Sequence, residues 1–362
     1  MAARFNMRSP VRITRTHRLA AAVGGGMALA LSLPLNAVAT PPPHAENAPR
    51  ATKKVTFTDD QIKNSRKGDD HPQAREVRQL HLREQARAGR LIDAKNVSVA
   101  ILDSNVSVAW ERGRNVEKVT FTALTADDAP DADMAGFDIG MLTGEDPESS
   151  GVSANAYGAG MNQATWDNGQ YSYKSGDCQT AYARRSGTLV GKVNGCYQKV
   201  KPTNDYNGSY DEFSYNRYAT ATAEQLSWTE DYVPVAMDIG SRPHRDHLSR
   251  TIGLTNYFPH TPEHLCNEGA EVSVTAGAFS ATVPLRNCAD KWPTPDAANS
   301  YMGARYDQGA IFGGRSAGLD FVMNPKGRQG GAYPILADWD SARFCVGTYS
   351  GCADWAIVNP GW

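Results

Sequence analysis

Four histidines within 21 residues are the side chains of this sequence best suited to chemistry. His244, His247, His260 and His264 follow the spacing His-x2-His, twelve residues, then His-x3-His. Imidazole is the commonest ligand for zinc or copper, and three histidines with an open fourth position could activate a bound water for hydrolysis. The HExxH arrangement of zinc proteases does not occur. The segment is also polar and rich in Pro, Arg and Thr, so a loop with solvated histidines is the other interpretation.

Carboxylates crowd the segment around residue 130. Asp127, Asp131 and Asp133 lie there beside Asp128, and Asp138 follows. Oxygen ligands on a loop suit calcium, which exported proteins meet at high concentration. The spacing is not that of an EF-hand, and a solvated acidic loop is the alternative. Apart from zinc and calcium at these two sites, the sequence predicts no cofactor.

Aromatic residues interleaved with Asn, Ser and Gly favour a carbohydrate or cell-envelope ligand. The group consists of Trp166, Tyr171, Tyr173, Tyr206, Tyr210 and Tyr215. Exposed rings on a β-face can stack on sugar rings, while amides and hydroxyls bond the sugar hydroxyls. Alternatively, the tyrosines pack inside the fold or pair across strands.

The N-terminus has the three regions of a secretory signal peptide. Five arginines precede an apolar run over residues 19–35, and Ala37-Val38-Ala39 follows. Charge, apolar core and small-residue site in this order predict cleavage after Ala39 and a signal peptide over 1–39. The apolar run is short and rich in glycine, which disfavours an uncleaved membrane anchor. We therefore expect a secreted, extracellular protein with no stable membrane span.

Charge balance argues against one class of partner. Residues 1–39 contain five of the 37 basic residues and none of the 39 acidic ones, so the mature chain has a net charge of about −7. Such a chain lacks the basic balance that binds nucleic acid or anionic lipid. No glycine-rich phosphate loop stands between a strand and a helix either. We expect no nucleic-acid partner.

All six cysteines lie in the mature chain, and an even number in an exported protein predicts disulfides. They are Cys178, Cys196, Cys266, Cys288, Cys345 and Cys352. Many pairings are open, and clustering favours each cysteine bonding its neighbour in that order. The spacing is too wide for a zinc site of closely paired cysteines. Bonded cysteines leave no thiol as a nucleophile.

The order of the elements predicts an all-β fold, an antiparallel sandwich or jelly roll with a short N-terminal helix. Residues 40–90 are expected to be a flexible linker or pro-segment that contains a helix over 72–89. Over residues 91–362, period-two alternation and short turns indicate the β-sandwich domain. Residues 125–170 are rich in Asp, Gly, Ser and Asn and are expected to form an irregular loop.

Several runs between residues 175 and 325 resemble an uncharacterised group of exported, disulfide-containing β-rich proteins of actinomycetes. The runs are 195–197 (GCY), 201–205 (KPTND), 210–211 (YD), 217–221 (RYATA), 265–266 (LC) and 287–292 (NCADKW). The resemblance implies an exported β-domain and transfers no catalytic residue.

Two short runs resemble motifs of the jelly-roll alginate lyases. They are residues 301–308 (YMGARYDQ), like the tyrosine strand of that family, and 75–78 (REVR), like its Arg-x-Glu-x-Arg strand. In that family a tyrosine and a histidine act as acid and base on a uronate. Here the arginine run falls in a predicted helix, and the Gln-x-His strand is missing from its expected place. The likeness assigns no residue in this chain.

Together these patterns favour a secreted β-domain that recognises a glycan or cell-envelope ligand without catalysis. The alternative is a secreted hydrolase or lyase, metal-assisted at the four histidines. A toxin or interaction protein is the third reading, because residues 270–285 alternate like a membrane-inserting hairpin. Glu271 and the flanking cysteines disfavour insertion.

Overall fold

A computed structural model describes most of the chain beyond residue 49. The described ranges are 50–68, 70–125, 135–147, 171–202, 208–224, 232–258, 263–265, 271–276, 279–284, 289–307 and 316–346. Cα proximity divides the chain into residues 1–43 and 44–362, and every described residue belongs to the second unit.

Strands dominate the described part. In chain order they are β1 (Arg50–Thr58), β2 (Val97–Ile101), β3 (Val106–Glu111), β4 (Arg114–Thr125), β5 (Gly136–Glu145), β6 (Tyr171–Ser175), β7 (Cys178–Arg185), β8 (Thr188–Pro202), β9 (Tyr210–Glu212), β10 (Ser214–Ala223), β11 (Tyr232–Pro243), β12 (Gly253–Phe258), β13 (Glu263–Leu265), β14 (Glu271–Ala276), β15 (Phe279–Pro284), β16 (Ala289–Pro293), β17 (Met302–Asp307), β18 (Ser316–Arg328) and β19 (Leu336–Val346). The α-helices are α1 (Asp59–Asn64) and α2 (Pro72–Arg87), and 3-10 turns cover Ala94–Asn96, Arg245–Arg250 and Ala297–Asn299.

The strands form two large antiparallel sheets that pack together. The first has the order β1-β4-β5-β19-β11-β17-β16-β13. The second has the order β12-β18-β10-β8-β7-β3-β2, with β6 paired to β8 and β9 paired to β18. β14 and β15 form a separate hairpin. This architecture confirms the predicted all-β antiparallel sandwich.

The interface between the sheets is apolar at one end. Phe137 of β5 stacks on Phe344 of β19 with 4.7 Å between ring centroids, and Tyr232 meets it edge-on at 5.3 Å. Val193 of β8 and Ala219 of β10 belong to the same buried cluster and join the second sheet to the first. Burial of these rings supplies much of the driving force for closing the sandwich.

The interface is polar where β19 carries Asp338 and Asp340. Both carboxylates are 0 % exposed. They point between the sheets, because residues 342 and 344 on the same strand face belong to the apolar cluster. Arg217 of β10 reaches them from the second sheet, and its Nη2 donates to Asp340 Oδ1 at 2.5 Å. A carboxylate buried without a cation would cost several kcal/mol, so this pairing permits a polar interior.

Residues 50–90 are part of the sandwich rather than the predicted flexible linker. β1 adds an edge strand to the first sheet, with Val55 opposite Phe121. The predicted helix is present as α2, and it buries Ala74 and Val77 against the second sheet. Gln85 on the same helix donates to Asn194 Oδ1 at 3.0 Å. The packed domain therefore begins about forty residues before the predicted boundary at residue 91.

β5 lies inside the predicted irregular stretch of residues 125–170, which corrects that expectation. Every residue of β5 is buried. Asp138 obscures the alternation in the sequence, but Arg343 of β19 neutralises it through bonds of 2.6 and 2.9 Å. Gly140 leaves room for Trp339, whose ring would lie 3.2 Å from a Cβ at that position. A strand of this composition is stable only as a central, covered strand.

One predicted disulfide is confirmed. Cys178 and Cys196 lie opposite each other on β7 and β8 and are bonded. Cys345 is also disulfide-bonded. The remaining cysteines, Cys266, Cys288 and Cys352, lie outside the described residues. No helix in the described part of the chain is both long and apolar enough to cross a membrane.

Candidate functional site

A polar cleft of 520 Å³ opens where β3 of the second sheet turns into β4 of the first. Its walls come from the β3–β4 connection, the end of β5, α1 and the turn that carries His244 and His247. Five carboxylates, five cations and these two histidines line it. The volume is that of a small-ligand site, whereas the lining is more polar than most such sites.

Arg114 forms part of the cleft floor and is held by the buried network behind it. Its side chain pairs with Asp338 and is 0 % exposed. Nη2 donates to Thr143 Oγ1 at 2.8 Å, and Nε donates to Gln179 Oε1 at 3.1 Å. The guanidinium carbon lies 4.4 Å from the centroid of the Tyr197 ring. The group is thus fixed, yet Nη1 has no hydrogen-bond partner within the described ranges.

Glu145 lies opposite Arg114 on the neighbouring strand and provides an acceptor. Its Oε2 accepts from Lys199 Nζ at 2.5 Å and from the Leu336 backbone N–H at 3.3 Å. Its Oε1 is buried and, among the residues that the structure describes, unpartnered. Burial raises the pKa of Glu145 and outweighs the opposing effect of the Lys199 ammonium. The cleft floor therefore combines a fixed donor with a fixed acceptor.

Asp338 anchors this floor from inside the sandwich. It accepts from Tyr215 Oη at 2.7 Å and from Ser241 Oγ at 2.5 Å, and Arg217 Nε lies 3.4 Å away. Burial alone would raise the pKa of Asp338, but Arg217 and Arg114 outweigh that cost and hold it below its ordinary value. The ionised carboxylate orients both guanidinium groups.

A histidine–carboxylate pair forms another wall of the cleft. His244 Nε2 lies 2.5 Å from Glu117 Oε1, and Nδ1 accepts from the Asp246 backbone N–H at 3.2 Å. The second contact places the ring proton on Nε2, so the neutral imidazole donates to Glu117. The pair packs over Gly144, where a Cβ would lie 2.6 Å from Glu117 Oε1. With both ring nitrogens engaged, His244 is poorly placed to act as a base or a metal ligand.

The structure brings two of the four predicted metal-ligating histidines together. The rings of His244 and His247 lie 5.4 Å apart between centroids. Partial burial, together with Arg250, lowers the pKa of His247, so its ring is neutral at neutral pH. His260 lies outside the described residues, and for His264 only the backbone in β13 is described. Over the described ranges, no group of three or more His, Cys, Asp or Glu residues could hold a metal ion.

None of the residues predicted to bind calcium, and only some of the predicted ligand-binding aromatic residues, lie in the described part of the chain. Those outside the described residues are Asp127, Asp131, Asp133, Trp166 and Tyr206. Asp138, at the end of the acidic group, is bound to Arg343 and is not available to a cation.

The described tyrosines of the aromatic group occupy the second sheet. The backbones of Tyr171 and Tyr173 pair with β8. Tyr210 in β9 is half-buried, and the Lys326 ammonium lies 5.0 Å from its ring centroid. Tyr215 is fully buried and stacks on Tyr197 at 5.0 Å, so it packs inside the sandwich and offers no sugar platform.

Residues 314–318 (GRSAG) have the Gly-x-Ser-x-Gly form of a nucleophile elbow. In hydrolases that use this motif, the serine sits on a sharp turn between a strand and a helix. Here Ser316 begins β18, and Ala317 and Leu319 pack in the core. Residues 316–318 therefore lie in a strand and not at the start of a helix.

The sequence patterns do not single out Arg114 or Glu145. Each lies at the end of a strand beside other charged residues, which normally indicates solvent. A sequence signal for the buried network lies in β19. Asp338 and Asp340 stand two positions apart there and so face the same side of the strand. Buried acids on one face require cations opposite them, and Arg114 and Arg217 are those cations.

No protein-family model matches this chain, and no curated protein is significantly similar to it. No activity or residue role is therefore carried over from a relative.

Proposed function

We propose that this protein is an exported recognition domain whose cleft binds a hydroxyl-rich extracellular ligand, a glycan or another cell-envelope component. Export is supported by the signal-peptide pattern of residues 1–39. The bonded cysteines Cys178, Cys196 and Cys345 are also typical of an oxidising compartment.

The observation that carries the proposal is the cleft lined by Arg114 and Glu145. In the described part of the chain, Arg114 Nη1 and Glu145 Oε1 are nearly sealed from solvent and have no hydrogen-bond partner. A buried donor or acceptor without a partner costs about 1–3 kcal/mol, which a bound ligand can recover. A hydroxyl group both accepts and donates, so a ligand that reaches these two atoms can pair with each of them. Sugars present such groups at every ring.

Recognition is favoured over catalysis because several titratable groups of the cleft are bound to each other. Glu117 and His244 bind each other. Lys63 binds Asp59 at 2.5 Å. A general base needs a free lone pair within reach of a substrate proton.

Calorimetric titration of the mature chain with soluble oligosaccharides and envelope fragments tests the proposal. Asn115→Trp fills the cleft from a half-buried rim position without touching the buried network, and it should abolish binding. Gln79→Trp, on an exposed position of α2, is the matched control and should bind like the wild type. Equal binding by Asn115→Trp would place the ligand elsewhere.

One observation favours a second candidate, a hydrolase or lyase acting on the same ligand. The pKa of Glu145 is raised by burial and its Oε1 is unpartnered, as suits a general acid. Incubating the wild type with each ligand that binds, and analysing the products, distinguishes the two. Bond cleavage that Glu145→Gln abolishes would establish catalysis, whereas binding without product supports recognition.

A further inference from the structure

We infer that the ligand carries an anionic group, a carboxylate or a phosphate, which binds at the cleft rim between Arg66 and Arg112. The inference rests on the proposed function and specifies its ligand as an acidic saccharide or a phosphate-bearing polyol. It is carried by two guanidinium groups that line the cleft and have no counter-charge.

Arg66 is held in place by its own backbone and by an aromatic ring. It forms an isolated bridge with Ala100, and the next residue, Lys67, donates its N–H to the Val99 carbonyl at 3.0 Å. The guanidinium carbon lies 5.1 Å from the centroid of the buried Trp110 ring. Stacking fixes the plane of a guanidinium while its N–H groups still point outward in that plane. Arg66 is thus organised before a ligand arrives.

Arg112 stands at the turn between β3 and β4, and this turn is also fixed. Gly113 lies so close to Asp177 that a Cβ would be 2.0 Å from its Oδ2. The Gly113 carbonyl accepts from the Asp146 backbone N–H at 3.0 Å. The Arg112 side chain is exposed at the mouth of the cleft. The turn therefore presents a cation at a defined place on the rim.

The other cations of the cleft have carboxylate partners. Lys63 is paired with Asp59, and Arg114 with Asp338. Arg245 lies 3.8 Å from Asp246. In the described part of the chain, neither Arg66 nor Arg112 contacts a carboxylate.

Guanidinium groups recognise carboxylates and phosphates through parallel charge-assisted hydrogen bonds. An anion at the rim and a hydroxyl at the floor would satisfy Arg66, Arg112, Arg114 and Glu145 with one molecule. A repeating unit that carries both groups has the chemistry of an acidic envelope polymer.

The test compares three probes on the full mature chain by calorimetry: an oligouronate, its carboxyl-reduced neutral form, and a glycerol-phosphate oligomer. At least one anionic probe should bind about tenfold more tightly than the neutral one, and added salt should reduce that advantage. Tighter binding of the oligouronate would identify the anionic group as a carboxylate, and tighter binding of the glycerol-phosphate oligomer would identify it as a phosphate. Arg112→Gln and Arg66→Gln should each lower the affinity for the anionic probe about fivefold and leave the affinity for the neutral probe unchanged.

Arg83→Gln, an exposed arginine on α2 outside the cleft, is the control and should behave as the wild type. Thermal melts of each variant verify the fold. Equal affinity for neutral and anionic probes, with no effect of either rim substitution, would overturn the inference and leave the proposed function standing. Failure of every saccharide and polyol to bind would overturn both.

Discussion

At Asp338, two arginines and two hydroxyl groups converge on one carboxylate between the sheets. The arrangement positions Arg114 in the cleft, so structure and proposed function share one residue. We expect Asp338→Asn to destabilise the protein by about 3–5 kcal/mol, because it leaves the buried Arg114 guanidinium without its charge partner and Arg217 with Asp340 alone. Urea unfolding of the two proteins measures the difference. Asp93→Asn, which removes a carboxylate from an exposed ion pair, is the control. If both variants lose equally little unfolding free energy, Asp338 does not anchor the two arginines.

Asp177 predicts a pH dependence of stability. Burial, reinforced by the neighbouring Glu111, raises the pKa of Asp177 from 3.8 to about 8. Between these values the folded protein keeps a proton that the unfolded chain releases, so the stabilisation associated with this proton falls as pH rises and is lost above about pH 8. Asp177→Asn cannot titrate. Its unfolding free energy relative to the wild type should therefore increase by more than about 1 kcal/mol between pH 5 and pH 8.

Denaturant melts of both proteins at the two pH values measure this change. Arg90 and Arg114 oppose the shift, and Tyr197 Oη lies 3.5 Å from the carboxyl. A difference between the proteins that stays constant from pH 5 to pH 8 would show that Asp177 is ionised in the fold.

At the scale of elements, α2 is fastened to the second sheet by buried polar contacts as well as apolar ones. Gln85 donates to Asn194 and accepts from Arg90 Nη1 at 2.6 Å. Gln85→Ala should lower the free energy of unfolding by about 1–3 kcal/mol, because Asn194 and Arg90 each lose a hydrogen bond. Gln79→Ala on the exposed face of the same helix should change stability by less than about 0.5 kcal/mol. Thermal melts compare the two, and equal stability would mean that the helix is only loosely attached.

The strands that the sequence predicts well are those with one apolar face. The residues of β2, β3 and β10 lie within the segment 91–362, where the sequence predicts strands from period-two alternation. β5 was hidden because Asp138 and its glycines suggest a loop until Arg343 and Trp339 supply their partners. β19 has aspartates at its inward positions 338 and 340, which a local pattern assigns to solvent. Local sequence patterns cannot show that a charge is neutralised by a residue far away in the chain.

At the scale of the whole molecule, the account requires export. The mature protein recovered from outside a producing cell should begin at Thr40 and contain bonded Cys178 and Cys196. Mass spectrometry before and after reduction measures both the N-terminus and the disulfide bond. The intact precursor inside the cell with free thiols would contradict the export proposal.

The sequence predicts a ligand rich in hydroxyl groups, but it does not place the cleft. The aromatic residues behind that prediction do not line the cleft. The cleft itself joins residues from α1, β4, β5 and the His244 turn, which are far apart in the chain. Their meeting depends on how β3 passes from the second sheet to β4 in the first. That crossing is a property of the complete fold.

The most direct measurement is a crystal structure of the mature protein with a bound oligosaccharide. We expect ligand hydroxyl groups within about 3 Å of Arg114 Nη1 and of Glu145 Oε1. We also expect that Asp338 still holds Arg114 in its present orientation. A saccharide bound on another surface, with the cleft floor untouched, would contradict the central claim.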